Sequence, residues 1–579
     1  MNDLRQLLTL DINGRTVGAQ QGDTILDAAS RAGISIPTLC HVKGLTATGA
    51  CRVCVVEVEG RDRPVTACSF AVSDGMKVQT HSSRVLDARR LLLQLILADH
   101  PDDCLYCTRS GSCDLQRIAR ELGIDRRRFG RTKRALPVDH SSVSVARDPD
   151  KCILCGKCVR TCGEIQTVAA IDFVQRGKQM VVATAWKPGL SDTGCVNCGQ
   201  CVTACPTGAL TEVSHVRAVL DVLRDPDKFV VVQHAPAVSV SLGEALGAKP
   251  GSDVDGQMVA ALRQVGFRRV FDTSFSADLT IMEEASELVQ RIQNNGRLPM
   301  FTSCSPGWIR FVEAFYPEFI GNLSTCKSPQ QMLGAVIKTY FAERAGLEPG
   351  KIVSVSIMPC TAKKFEASRP EMGRDSVADV DYVLTTREAA QLLRQCGLEH
   401  LDLEPERADT PFGERTTAGK IFGASGGVME AAIRTAHFLI TGQELGSLTL
   451  EPLRGLNGAK ELHTRVGGVE VGAAVVSGLG NARALLEQIK KGRSDLQFIE
   501  VMTCPGGCIN GGGQPFAHDA DAIRARMLAL YALDESAPVR TSHSNASVRR
   551  LYSEFLGMPL SSTSHRLLHT HYERRALTL

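Results

Sequence analysis

No stretch of the chain approaches the roughly 18 consecutive apolar residues of a membrane-crossing helix, which argues against a membrane span. The first residues, "MNDLRQLLTLD", lack a basic start, an apolar run and a small-residue cleavage site, so no secretory signal is expected and a cytoplasmic location is. Charge of one sign is also scarce in net terms: 66 basic against 63 acidic residues leave about +3, too weak a field to indicate nucleic acid or a membrane surface. A glycine fingerprint for a dinucleotide, GxGxxG after a strand, is missing, and "GLGNAR" near Gly478 is too short to replace it. What the 579 residues do hold is 21 cysteines, which in a reducing compartment read as metal ligands and not as disulfides.

Fifteen of the 21 lie between Cys40 and Cys205, and that asymmetry marks a boundary near residue 220. From "LTLDINGRTV" to "TILDAASRAG" the chain alternates apolar and polar residues, turns at Asn13-Gly14 and then takes a helical period ended by Gly33, a small α+β unit. Cys40, Cys51, Cys54 and Cys68 follow, a thiolate set suited to a [2Fe–2S] cluster that resembles plant-type ferredoxins with a longer first gap; a zinc ribbon is the alternative. Residues 84–98, "RVLDARRLLLQLILA", are expected to form an amphipathic helix with Val85, Ala88, Leu91, Leu92, Leu95 and Ile96 on its apolar face. His100, Cys104, Cys107 and Cys113 then offer one imidazole and three thiolates to a [4Fe–4S] cluster, with zinc on the same donors as the alternative.

The segments "CILCGKCVRTC" and "CVNCGQCVTACP" both read CxxCxxCxxxC, and the second ends in Pro206. In such pairs the fourth cysteine serves the other cluster, so Cys152, Cys155, Cys158 and Cys205 form one [4Fe–4S] set and Cys195, Cys198, Cys201 and Cys162 the second. Four clusters in a row, one [2Fe–2S] and three [4Fe–4S], conduct electrons.

From Phe229 onward strand-like runs alternate with helical ones, predicting an α/β architecture with largely parallel strands. Cys304, Cys360, Cys504 and Cys508 follow the strand-like "LPMFTS", "IVSVSIMP" and "LQFIEVMT", and ligands gather beyond the carboxyl ends of strands in open α/β sheets. The residues alone reach a buried thiolate-held cluster with Lys363 as a nearby cation and glycines that let backbone crowd it.

"MFTSCSPGW", "MPCTAKKFE" and "EVMTCPGGCINGGGQP" together resemble the three loops of the [FeFe]-hydrogenases, and the cluster-rich first section is similar to the longer members of that family. The resemblance implies five segments: a ferredoxin-like β-grasp domain at 1–80, a helical His/Cys cluster domain at 81–140, a bacterial 2[4Fe–4S] ferredoxin domain at 141–222, an α/β catalytic domain at 223–520 and a small-subunit-like helical segment at 521–579. It also implies an H-cluster: a [4Fe–4S] cubane joined through one cysteine sulfur to a diiron unit with CO, cyanide and a bridging dithiolate amine. By position, Cys360, Cys504 and Cys508 are cubane ligands, Cys508 the bridging one. Lys363 faces a cyanide, Met358 and Met502 line the pocket, and Ser328, Pro329 and Gln330 complete its wall. Glu284, Glu287 and Ser324 fall where the family places its proton channel.

The family's first loop carries two adjacent cysteines, the first a proton relay and the second a ligand, whereas this chain has Cys304 and Ser305. Strict transfer makes Cys304 the relay and Ser305 a poor fourth ligand; a small loop shift gives Cys304 to iron and the relay to Ser305, and the second is favoured because it keeps four thiolates. Cys326 either rescues one of these roles or is a buried inert cysteine, and Cys396 has no motif. H2 and protons are the implied substrates, and maturation proteins must build the diiron unit. The tail "SHRLLHTHYERR" is similar to those of NAD(P)-linked multi-subunit enzymes, implying a flavin-bearing NAD(P)-reducing subunit and a small [2Fe–2S] subunit as partners, with ferredoxin as another acceptor. His565, His569 and His571 offer metal-binding donors, but a solvated or partner-docking tail is the expectation for them. A hydrogen sensor and the electron-input subunit of a respiratory complex or formate dehydrogenase are the rival classes.

Overall fold

The computed structural model describes residues 7–130, 135–186, 189–466, 468–516 and 520–575. The Asn13-Gly14 pair takes φ of 56° and 80° and turns the Leu7–Ile12 strand back on Arg15–Gln20. With Lys77–Gln79, Val55–Val58 and Val65–Thr66 these make a five-stranded sheet. The Ile25–Arg31 helix starts at a reciprocal Thr24/Asp27 cap and packs Ile25 and Ala28 on Ile12, Val56 and Val78.

The Ser83–Asp99 helix forms as expected, capped by Ser82, but its buried face differs. Leu93 is buried against Leu115 and Ile118 of the Asp114–Glu121 helix, while Leu91 and Leu95 point to solvent and Arg89 is inside. A run of six apolar residues in seven is apolar all round, so period alone did not select the face.

The paired cysteine segments fold into the short Lys157–Arg160 and Gln200–Ala204 helices, closed by the Val145–Arg147 and Leu210–Glu212 strand pair. Neighbouring units dock here by backbone capture. Arg160 donates to the Cys40 and Thr46 carbonyls of the first unit. Arg109 donates to the Cys205 carbonyl (3.1 Å), and the Asp114 N–H to that of Pro206 (3.0 Å).

Beyond Phe229 the strands divide into two four-stranded sheets. One is wholly parallel, in the order Arg269–Asp272, Phe229–His234, Ile352–Met358, Tyr382–Thr385. The other pairs Met300–Phe301, Phe498–Met502 and Val469–Ser477 in parallel and adds Ala459–Val466 antiparallel. The Thr273–Gln293 helix, capped by Asp272, is largely buried along its length.

The C-terminal segment is part of this body. In the Ala520–Ser536 helix, buried Arg526 pairs with Glu244 (2.8 Å) and donates to the Ile509 carbonyl (2.8 Å). Leu567 and Leu568 join the core around Phe275, Leu279 and Met332. The solvated tail expected for His565, His569 and His571 is corrected at His569, which is buried while the other two are exposed, because apolar neighbours anchor the segment on the body that carries the two sheets.

Candidate active site

Cys360 leaves the carboxyl end of one sheet; Cys304, Cys504 and Cys508 leave that of the other. All four cysteines, with Ser305, line one cavity. Pro329, Gln330, Met358, Lys363, Met502 and Phe422 complete much of its wall. Lys363 donates to the Cys304 carbonyl (3.1 Å) and to Glu366 (2.9 Å). Glu366 also accepts from Ser328 (2.8 Å) and Gln330 (3.1 Å), so Ser328 acts from behind the wall and not on it.

Burial pushes the thiols of Cys360, Cys504 and Cys508 up, Cys508 to about 12. Thiolates form in such a place only against a cation, and the donor set suits iron. The accessory residues gather in the same manner. Cys152, Cys155, Cys158 and Cys205 line one cavity, and His100, Cys104, Cys107 and Cys113 another. Cys195, Cys198 and Cys201 act electrostatically on one another together with Cys162. Cys40 interacts with Cys51 and Cys68, and Cys68 with Cys54.

The set of Cys162, Cys195, Cys198 and Cys201 abuts the active-site cavity. Thr361 donates to the Asn197 carbonyl (2.7 Å), and Gln200 to that of Asn510 (2.9 Å). A Cβ on Gly512 would stand 2.2 Å from the Cys198 carbonyl oxygen, so only glycine permits this approach.

The family described as "Iron only hydrogenase large subunit, C-terminal domain" matches residues 228–512, and "Iron hydrogenase small subunit" matches 520–575. A [2Fe–2S] cluster-binding domain matches 5–83, the iron–sulfur region of NADH-ubiquinone oxidoreductase G matches 89–128, and a [4Fe–4S] dicluster domain matches 151–209. The chain is 48% identical to "NADP-reducing hydrogenase subunit HndD" of Solidesulfovibrio fructosivorans, across 98% of this chain and 99% of that one. This chain belongs to the iron-only hydrogenases. It is 39% identical to "Iron hydrogenase 1" of Clostridium pasteurianum, over 98% of this chain and all of that one. A solved apo [FeFe]-hydrogenase from Chlamydomonas reinhardtii superposes with a TM-score of 0.56 at 41% identity, covering 62% of this chain and 99% of that one. "Cytosolic iron-sulfur assembly component 3" of Mus musculus is 34% identical over 67% of this chain and 84% of its own.

In this hydrogenase the buried acids lie on the far side of Cys304. Glu287 accepts from Ser324 (2.9 Å), from the Thr325 N–H (3.0 Å) and from Arg291 (2.6 Å). Glu284 is fully buried, and neither carboxyl oxygen has a hydrogen-bond partner within normal geometry among the described residues. Arg291, one turn beyond Glu287, was readable from its i,i+4 spacing, whereas the part of Glu366 depends on contacts across 36 to 38 residues and has no local signal. Cys326 is buried and is not among the residues that line the cavity, and Cys396 is exposed on the surface.

Burial, then the Glu287 charge, raise Glu284 from its ordinary 4.5 to about 8. Between those values the folded chain holds a proton that the unfolded chain has lost, so stability falls as pH rises through the window. Glu284→Gln removes that slope: calorimetric midpoints at a fixed scan rate should show the variant gaining on the parent from pH 5 to 8.5, by roughly 3–5 kcal/mol at the upper end.

Proposed function

We propose that the chain is the catalytic subunit of an NADP-linked hydrogenase that interconverts H2 with two protons and two electrons in either direction. One observation carries this: Cys304, Ser305, Cys360, Cys504, Cys508 and Lys363 share a cavity that touches the Cys198 loop. Cys40, Cys51, Cys54 and Cys68 would hold a [2Fe–2S] cluster, and the three remaining accessory sets a [4Fe–4S] cluster each. Cys360, Cys504 and Cys508 would hold the cubane of an H-cluster, with Cys508 bridging to its diiron unit, which when bound supplies the centre that cleaves H2.

The protein's own part is positioning, exclusion of water and movement of protons. Ser305 is assigned to the fourth corner of the cubane, since its hydroxyl lies 2.8 Å from that of Thr503 and accepts the Thr503 N–H at 3.2 Å, next to Cys504. Cys304 faces the acids: after burial, the Glu284 carboxylate is the strongest influence on its thiol. Cys304 then passes protons to Glu284, and Ser324, Glu287 and Arg291 continue the route. This reverses the assignment favoured from sequence, in which Cys304 went to iron. A carboxyl that stays protonated near neutrality can give as well as take a proton, as a relay in both directions requires.

The likeness to an NADP-reducing subunit supports a flavin-bearing NAD(P)-reducing partner and a small [2Fe–2S] subunit, in keeping with the missing dinucleotide motif; ferredoxin is the other acceptor. Maturation proteins would install the diiron unit. Ser305 in place of a thiolate favours a second reading, a low-turnover or H2-sensing protein. An infrared spectrum of the matured protein tests the proposal: bands of metal-bound CO and cyanide are expected, and their absence rejects it. H2 evolution by the same sample separates turnover from sensing.

A further inference from the structure

The acidic side of the Thr273–Gln293 helix meets the C-terminal segment at a point that proton transfer to Glu287 does not require. Residues 325–327 and 568–570 run antiparallel, with the Lys327 N–H donating to the Leu568 carbonyl (2.7 Å) and the Thr570 N–H to that of Thr325 (2.8 Å). Cys326 is thereby set opposite His569. A Glu287 carboxylate oxygen, the Cys326 sulfur and a ring nitrogen of His569 all lie within 4.8 Å of one another, and all three residues are buried.

Their surroundings suit a cation. Glu283 accepts from His569 Nε2 (3.0 Å), which orients the ring and directs Nδ1 to the Thr325 hydroxyl (2.8 Å). The same hydroxyl lies 3.2 Å from a Glu287 oxygen, so Nδ1 is on the Glu287 side. A carboxylate behind a histidine is the arrangement that steadies metal-bound imidazoles. Tyr552 and Ser564 hold Glu283 in turn. Three glutamates meet here with Arg291 as the cation bonded to Glu287.

We propose that Glu287, Cys326 and His569 form a binding site for a divalent metal of the zinc class, placed on the proton route so that occupancy slows H2 turnover reversibly. Thiolate, imidazole and carboxylate are the donors zinc prefers, and tetrahedral bonds of about 2.0–2.3 Å set donor atoms roughly 3.3–3.8 Å apart, near the 3.9 Å between the Cys326 sulfur and a Glu287 oxygen. On binding, the metal takes the place of the Cys326 thiol proton, which leaves to solvent, and displaces the Thr325 hydroxyl from Nδ1. Glu287, once it ligates the metal, no longer exchanges protons with Ser324. The inhibitory consequence rests on the route proposed above; the site itself does not.

The test uses the full chain with its iron complement, incubated with zinc sulfate and gel-filtered, beside Cys326→Ala, which retains exposed Cys396 as the background thiol. The parent should keep about one zinc more per chain than the variant, with an X-ray absorption shell of one sulfur near 2.3 Å and nitrogen or oxygen near 2.0 Å. Half-inhibition of H2 evolution, each protein scaled to its zinc-free rate, should need at least about 10-fold more zinc in Cys326→Ala. Equal zinc contents with no sulfur shell in the parent overturn the site and leave the proton route untouched. A filled site that leaves H2 evolution unchanged overturns the route through Glu287, and the inhibition with it.

Discussion

Cys304→Ala should lower H2 evolution at least about 100-fold, the scale of losing a positioned proton-transfer group, while iron content and the CO and cyanide bands persist. The two halves of that result separate the roles left open by the "CS" pair. If Cys304 held iron, its removal would take a ligand from the cubane and cost iron and activity together. If it carries protons, the metal stays and only the rate falls. The second outcome is the one expected, because Ser305 and Thr503 are hydrogen-bonded on the Cys504 side, whereas the Cys304 thiol is raised by burial and then by Glu284. Ser305→Cys is the counterpart: it replaces a hard donor by a soft one at the assigned corner and should leave the pH profile of turnover unmoved.

Gly512→Val should uncouple hydrogen chemistry from electron exit. The new side chain would meet the Cys198 carbonyl oxygen at 2.2 Å and the Gly199 Cα at 2.8 Å, both backbone, so the two loops must separate. Overpacking of this kind costs about 1–3 kcal/mol, which a chain of this size tolerates, yet the displacement falls where the ferredoxin-like unit and the cavity touch. D2/H+ exchange needs no electron to leave the site and should persist; dye-linked H2 oxidation should fall sharply. Equal loss of both activities would place the damage in the cavity wall, and no loss of either would mean that the contact is not the exit.

How much of this was legible follows from how local each feature is. Cluster ligands are spaced by two or three residues because one tight loop must present them, and the structure gathers each anticipated set. The α/β character was equally visible. The division into two sheets was not, since alternation does not say which strands pair, and the two-residue Met300–Phe301 strand finds Phe498 and Ile499 nearly two hundred residues later. The same limit hid His569. Its role depends on a backbone pairing with Cys326 across 243 residues, and the polar tail around it read as solvated because Leu567 and Leu568, the residues that anchor it, are only two. In the Ser83–Asp99 helix the failure was of another kind: an excess of leucine concealed which side faces the core.

The Arg526 clasp on the Ile509 carbonyl and the pairing of residues 568–570 with 325–327 bear on biosynthesis. A ribosome delivers every accessory ligand by Cys205, long before it makes either fastening, so these sites can load on the nascent chain as domains fold in order. The cavity gains these two fastenings only once Arg526 and residues 568–570 have been made, more than three hundred residues after the last of the clustered thiols in the first section.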